Sequence, residues 1–496
     1  MPRLERAQVV DLAVVGGLML LALALRLPLM RDSLLGDELI MYGIVHDHGL
    51  GDVLSVVRDT EKTPPLHFAL AWAAAHIGDP TWSVRLPSLL SGIALVPLGY
   101  ALGLRTAGRA AGLVAAAILA LQPYSMFYGT EARAYALVAL LAGLSTLCLL
   151  RALDTRSRWW WAAYALAVLG VAYTHYIGIF VLATQAGWAF WVYRDRLREL
   201  VTVHALIVLA YIPWISSYLV QQGHSADEAR RIAILAPPSV EYFGFANAQV
   251  TFGQPFNSLR DVPGYAAAVL AVLLLAAALV AAGVRAWRRD PPGGRMVLVI
   301  LLAVATPLGI AALSLPGDHS FLLPRNLIAS LPALAVLIGW LLVSLRSRLA
   351  VAATTAFLLV LAVGAAQALD RGHRRSPYRD AAHVIDAWAR PGDPVIQGSF
   401  LPAKGSLATG LKINFTRPHP LHPAGGATEA AAWERGRRTG RVYVVVPLPG
   451  AFKRVRHSGR FAGPEQAFEL RRERRYTGLE DILVGEYAPR DGAPGS

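Results

Sequence analysis

Residues 159–193, WWWAAYALAVLGVAYTHYIGIFVLATQAGWAFWVY, run for 35 positions without Asp, Glu, Lys or Arg. A helix crosses a hydrocarbon layer of ~30 Å in about 20 residues, so this stretch is long enough for two crossings joined by a tight turn. Uncharged runs of crossing length recur at 110–130, 262–284, 296–317, 326–345 and 349–369. Of the 496 residues only 16% are charged, against about 25% in soluble domains, and the mean hydropathy is +0.44. These features exclude a soluble globular class and predict a mainly α, polytopic membrane bundle.

Working outward, about eleven spans are predicted: 8–30, 84–104, 109–128, 133–151, 158–174, 175–193, 200–220, 263–285, 296–315, 324–345 and 349–369. The first follows Arg3 and Arg6. It reads as a membrane helix rather than a signal peptide, because no small-residue cleavage pattern follows it. Short arginine-rich loops alternate with uncharged ends: Arg105/Arg109, Arg151/Arg156/Arg158, Arg194/Arg196/Arg198, Arg285/Arg288/Arg289/Arg295 and Arg346/Arg348. Cationic short loops stay cytoplasmic, which places the amino terminus inside a plasma (inner) membrane. The segment 65–78 (PLHFALAWAAAHIG) is too short to span, and counting it would invert every later loop. It is expected to be an interfacial or re-entrant helix within a first outer loop, 31–82. A second outer loop runs over 221–262.

An odd number of spans leaves 371–496 extracytoplasmic. Two domains are therefore expected: a membrane module at 1–370 and a small α/β domain at 371–496. The latter has an amphipathic stretch at 377–390 and β-like runs at 394–400 and 441–447. Its 21 Lys+Arg against 12 Asp+Glu suit an anionic lipid surface or an acidic glycan as well as an ordinary soluble cap. Nucleic acid is not an expected partner of a domain facing outward. The single cysteine, Cys148, excludes an intrachain disulfide and a Cys-built metal site.

Charge avoids the span centres but gathers at their outer ends: Asp37-Glu38, Glu61-Lys62, Arg85, Glu131-Ala132-Arg133, His175-Tyr176 and Arg325. Any one of these, taken alone, reads as a headgroup anchor. Together they come from separate stretches at one depth, where polar groups tend to mark substrate or ion paths.

Several segments carry a resemblance: GDE (36–38), EKTPPLHF (61–68), VRLPSLLSG (84–92), PYSMFYGTEARAYAL (123–137), THYIGIF (174–180) and LLPRNLIASLPAL (322–334). In this order they resemble the GT-C superfamily of membrane glycosyltransferases, especially glycosyltransferase family 39, which includes the protein O-mannosyltransferases. The aminoarabinose transferases that modify lipid A are relatives. The likeness is good over 1–190, patchy over 190–370 and absent beyond. It implies a polyprenyl-phosphate-linked sugar as donor and an inverting transfer to a hydroxyl of a protein, lipid or polysaccharide. Asp37 would be the general base, with Glu38 supporting it or orienting the acceptor. Lys62 would contact the carrier phosphate. Glu61, Arg85, Glu131, Arg133, Tyr135 and Arg325 would line the carrier pocket, and His175 and Tyr176 would touch sugar or phosphate. Asp37, Glu38 and Glu131 are the carboxylates available to Mg²⁺ or Mn²⁺, although the sequence does not require a metal.

The physics suits such roles. Cleaving a sugar–phosphate bond builds negative charge on the departing lipid phosphate, which fixed cations stabilise in a low-dielectric site. Arginine offers that phosphate two parallel donors. The competing readings are a non-catalytic glycolipid transporter or flippase, and a lipid-linked glycan polymerase or ligase. A transporter would carry polar residues along the span centres.

Overall fold

A computed structural model describes residues 6–222, 233–234, 236–253, 265–288, 293–314, 320–398, 406–449 and 467–490. Much of the expected outer loop 221–262 therefore lies outside the described residues. The chain divides into two compact units. One comprises Met1–Leu27 with Ile44–Ala368, the other Pro28–Gly43 with Leu369–Ser496. The second unit thus takes in part of the first outer loop as well as the carboxyl-terminal region.

The first unit is helical. Its opening elements are α1 (Arg6–Met30), α2 (Asp37–His46, shared with the second unit), α3 (Leu50–Thr60), α4 (Leu66–Ala75), α5 (Pro80–Ser83) and α6 (Leu86–Thr106). They are followed by α7 (Arg109–Leu121), α8 (Pro123–Tyr128), α9 (Tyr135–Thr155), α10 (Arg158–Ala172), α11 (Ile179–Val192) and α12 (Leu197–Gln222). Further helices cover Val240–Phe252, Tyr265–Trp287, Gly294–Ser314, Leu331–Val343 and Ser347–Ala368. A helix stands at each of the eleven expected places. Seven among the described residues are long and apolar enough to cross a membrane, and others, such as Arg109–Leu121 and Tyr176–Val192, are shorter. The chain is a multi-pass membrane protein. The helix expected near 65–78 is α4, whose ten residues are half a crossing.

Apolar side chains remain exposed along the spans, as at Leu20, Leu206, Leu209 and Leu273. With lipid as solvent this carries no penalty, and helices associate instead through close packing of small residues. At the crossing of α6 and α7, a Cβ on Gly103 would stand 2.4 Å from the Gly112 Cα, and one on Gly112 would stand 2.7 Å from the Tyr100 carbonyl oxygen.

The arginine-rich loops converge at one end of the bundle. Arg105 and Arg295 both bind Asp154, Arg109 binds Asp11, and Arg196 donates to the Leu153 carbonyl at 2.9 Å. Tyr100 donates to Asp11 as well, at 2.7 Å. Buried Gln185 is satisfied locally, its amide donating to Ser145 and Thr146 at 2.9 and 2.8 Å.

The second unit carries a five-stranded sheet of order β2-β1-β3-β5-β4. The strands are β1 (Val395–Gln397), β2 (Leu421–Pro423), β3 (Val442–Pro449), β4 (Phe468–Tyr476) and β5 (Glu480–Pro489). β1 pairs in parallel with β2 and β3, while β3–β5 and β5–β4 are antiparallel. Helices Tyr378–Trp388 and Gly426–Thr439 flank it, and Ile396, Trp433, Val442, Val444, Val446 and Phe468 form a core. This is the expected small α/β domain, with β1 and β3 at the β-like runs 394–400 and 441–447, and β2 is an addition. The hairpin of β4 and β5 is an addition, since the arginines of β4 hide its pattern.

Gly112→Ala would force the α6 backbone away from α7. We expect a loss of about 1–3 kcal/mol, read as a lower thermal unfolding temperature in detergent.

Candidate functional site

At the end of the bundle opposite the arginine loops, α3 ends at Thr60 and the chain turns through Glu61 and Lys62 into α4. Gln221 holds this turn from α12, donating to the carbonyls of Val57 at 2.9 Å and Thr63 at 3.3 Å. The second contributor is the short non-helical passage after α8. There the Arg133 N–H bonds the Glu131 carbonyl at 2.7 Å and the Ser88 hydroxyl donates to the Arg133 carbonyl at 3.1 Å. The passage is itself placed by Arg26 of α1, which is wholly buried. Its guanidinium donates to the carbonyls of Ala22, Leu119 and Ala120 and to the Ser125 hydroxyl, at 3.0–3.2 Å. The carbonyls of Leu119 and Ala120 belong to the C-terminal turn of α7, where the helix dipole favours a cation. Arg26 thereby fixes the start of α8 and the turn that follows.

Several expected site residues meet here. Arg133 and Glu61 form an ion pair of 3.2 Å with side chains only 12% and 9% exposed. The Arg133 guanidinium lies over the Phe68 ring at 5.9 Å. The Arg325 guanidinium lies 5.9 Å from the Tyr135 ring, and Tyr135 packs against His175 with ring centroids 5.6 Å apart. Tyr128 closes the group, 5.0 Å from Tyr135 and 4.7 Å from Tyr124, whose hydroxyl donates to the Pro324 carbonyl at 2.7 Å. Two guanidiniums therefore stand among aromatic rings in a mostly dehydrated setting.

The other expected residues lie differently. Lys62 is partly exposed in the turn beside Glu61. Arg85 is fully buried at the start of α6. The Tyr176 hydroxyl donates to Gln221 and accepts from the Trp214 indole at 3.2 Å, so it serves the packing of α12. Asp37 and Glu38 belong to the second unit. Gly36, at φ +53°, turns the chain so that both acids fall in the first turn of α2, where carboxylates suit the dipole. Glu38 is 1% exposed. It accepts from the Leu35 N–H at 3.2 Å, the acidic half of a capping box, and from Arg375 at 2.9 Å. Asp37 keeps partial exposure.

Among the described residues no three His, Cys, Asp or Glu side chains are grouped to hold a metal ion. Of the carboxylates named as available to a metal, Glu38 is engaged by Arg375.

His67 was not singled out by the sequence reading, although it lies in the quoted EKTPPLHF segment. It is wholly buried and neither ring nitrogen has a hydrogen-bond partner. Burial, with the Arg133 charge beside it, pushes its pKa down to about 3, so it stays neutral near Arg133. Arg26 and Arg375 were also missed. The first is the lone cation inside an apolar run, a visible signal; the second had none.

Residues 62–217 match the family described as dolichyl-phosphate-mannose-protein mannosyltransferase, a stretch holding Lys62, Arg85, Glu131, Arg133, Tyr135, His175 and Tyr176. The crystal structure of ArnT from Cupriavidus metallidurans in the apo state superposes with a TM-score of 0.54 at 14% identity, covering 97% of this chain and 98% of that one. The chain has the GT-C fold. The same ArnT bound to undecaprenyl phosphate gives 0.51 at 15% identity, over 96% and 97% of the two chains. The archaeal oligosaccharyltransferase AglB from Archaeoglobus fulgidus, in complex with an inhibitory peptide and a dolichol-phosphate, gives 0.52 at 13%, over 89% and 70%. No curated protein matches the chain in sequence. Within this GT-C fold, the cluster around Arg133 and Tyr135 lies on the family-matched segment.

Arg133→Met would take the guanidinium from Glu61 in a nearly closed position. We expect a loss of about 2–4 kcal/mol in thermal stability, part of which returns when Glu61→Gln is added. Losses that simply add would show that the two side chains do not act as a pair.

Proposed function

We propose that the chain is an inverting glycosyltransferase that moves a sugar from a polyprenyl-phosphate donor to an acceptor hydroxyl at the outer face of the membrane. The observation that carries the reading is the cluster of the Arg133–Glu61 pair with Tyr135, His175 and Arg325, of which Arg133, Tyr135 and His175 lie on the stretch that matches the dolichyl-phosphate-mannose-protein mannosyltransferase family. Undecaprenyl phosphate and dolichol-phosphate in two proteins of the same fold support it.

In this reading the leaving phosphate is received by Lys62, Arg133 and Arg325. Charge that develops on its oxygens as the glycosidic bond breaks meets guanidiniums already desolvated and oriented, so little reorganisation accompanies the step. Glu61 keeps Arg133 from standing as an uncompensated cation before the donor arrives, which burial would otherwise penalise. Tyr135 and His175 offer an aromatic wall and a ring nitrogen to the sugar. Asp37 takes the proton of the acceptor hydroxyl as that oxygen forms its bond to the anomeric carbon from the face opposite the phosphate. One displacement with one base inverts the configuration. Side-chain cations supply the electrostatic stabilisation in this reading.

Asp37→Asn removes the base and keeps the shape. Release of undecaprenyl phosphate from undecaprenyl-phosphate-linked mannose, arabinose or aminoarabinose is expected to fall at least about 100-fold, while folding and carrier binding persist. Undiminished turnover would remove the base assignment. Arg133→Gln and Lys62→Ala should instead weaken binding of undecaprenyl phosphate itself.

A further inference from the structure

The second unit joins two parts of the chain that lie more than three hundred residues apart. Asp32 binds Arg374, whose Nε approaches the Asp32 carboxylate at 2.8 Å and whose Nη2 donates to the Pro28 carbonyl at 2.9 Å. The Ser33 hydroxyl accepts from the Arg379 N–H at 2.9 Å, and the Arg379 side chain donates to the Arg31 carbonyl at 3.1 Å. Glu38 binds Arg375 at 2.9 Å, and this pair is closed to solvent, its side chains 1% and 3% exposed. The segment 374–379 therefore grips residues 28–38 at both ends.

Within α2, successive side chains point about 100° apart. Turning Glu38 inward necessarily presents Asp37 in another direction, and Asp37 is the partly exposed one. Glu38 is held inward with its charge met by the Arg375 guanidinium at 2.9 Å. Removing that cation raises the cost of keeping the carboxylate out of water, which loosens the first turn of α2. We propose that Arg375 is a positioning residue for Asp37: by neutralising buried Glu38 it fixes the helix turn that aims the Asp37 carboxylate. The carboxyl-terminal domain is thus part of the catalytic apparatus. This rests on Asp37 as the base of the proposed reaction. A displacement of about 1 Å in such a group is enough to slow a reaction about 100-fold.

The full-length protein in detergent is compared as wild type, Arg375→Met, Glu38→Gln, their double variant and Arg375→Lys, with Asp37→Asn as reference. Turnover is read as undecaprenyl phosphate released from the same three donors. For Arg375→Met we expect kcat to fall at least about tenfold with KM for the donor within about twofold. Arg375→Lys, which keeps a cation, should recover part of kcat. In the Glu38→Gln background, Arg375→Met should have much less effect, because no buried charge is left to hold. Should Arg375→Met alone fail to fold, the double variant against Glu38→Gln and Arg375→Lys against wild type give the same comparisons.

Unchanged kcat in Arg375→Met, a loss carried by KM, or an undiminished effect in the Glu38→Gln background would each overturn the proposal. Full turnover in Asp37→Asn would strike the base assignment instead, and Arg375 with it. If Asp37→Asn is inactive and Arg375→Met is not, only the positioning role fails.

Discussion

A guanidinium taken out of water must have its charge met by something else. Arg26 has four carbonyl and hydroxyl acceptors and is wholly buried. Arg133 has Glu61 and an aromatic face. Arg375 has Glu38. Each compensation ties together chain segments remote in sequence, because a desolvated cation cannot do without its partner. The tie made by Arg26 places α8 and the turn carrying Glu131 and Arg133. Without it that turn would hang from the unbonded carbonyls at the end of α7.

Arg133 and Arg325 belong to the helical unit, and Asp37, the carboxylate proposed as base, belongs to the unit that contains the small sheet. A linear map would assign Asp37 to the membrane module, since it follows the first span by only a few residues. Its chain neighbours Asp32, Glu38 and Ser33 bond instead to Arg374, Arg375 and Arg379, beyond the last span. The carboxyl-terminal region thereby holds the turn that carries Asp37 and Glu38.

The helices were legible because hydrocarbon imposes long uncharged runs, and alternating arginine loops placed them. The short α4 was readable from its length and from the charge alternation it would otherwise break. Clustering of Glu61, Arg133, Tyr135, His175 and Arg325 was also expected, since ionisable residues at span ends are few. Partners were not legible. Nothing in residues 31–38 announces that Glu38 pairs with Arg375, because the pairing depends on how residues far along the chain fold. Tyr176 was judged by its neighbour His175, yet its hydroxyl turns to Gln221 and Trp214. β4 escaped because FELRRERRY has charged residues on both faces, as suits a strand with only one partner.

That strand ends the sheet among the described residues, with Arg471, Arg472, Arg474 and Arg475 exposed along it. An edge strand offers unsatisfied backbone donors and acceptors to any other strand that approaches. Proteins confined to a membrane meet one another often and in restricted orientations. Arg471, Arg472 and Arg475 reach the carboxylates of Glu469, Glu486 and Asp481, and a charged edge of this kind is a poor template for a strand from a neighbouring copy.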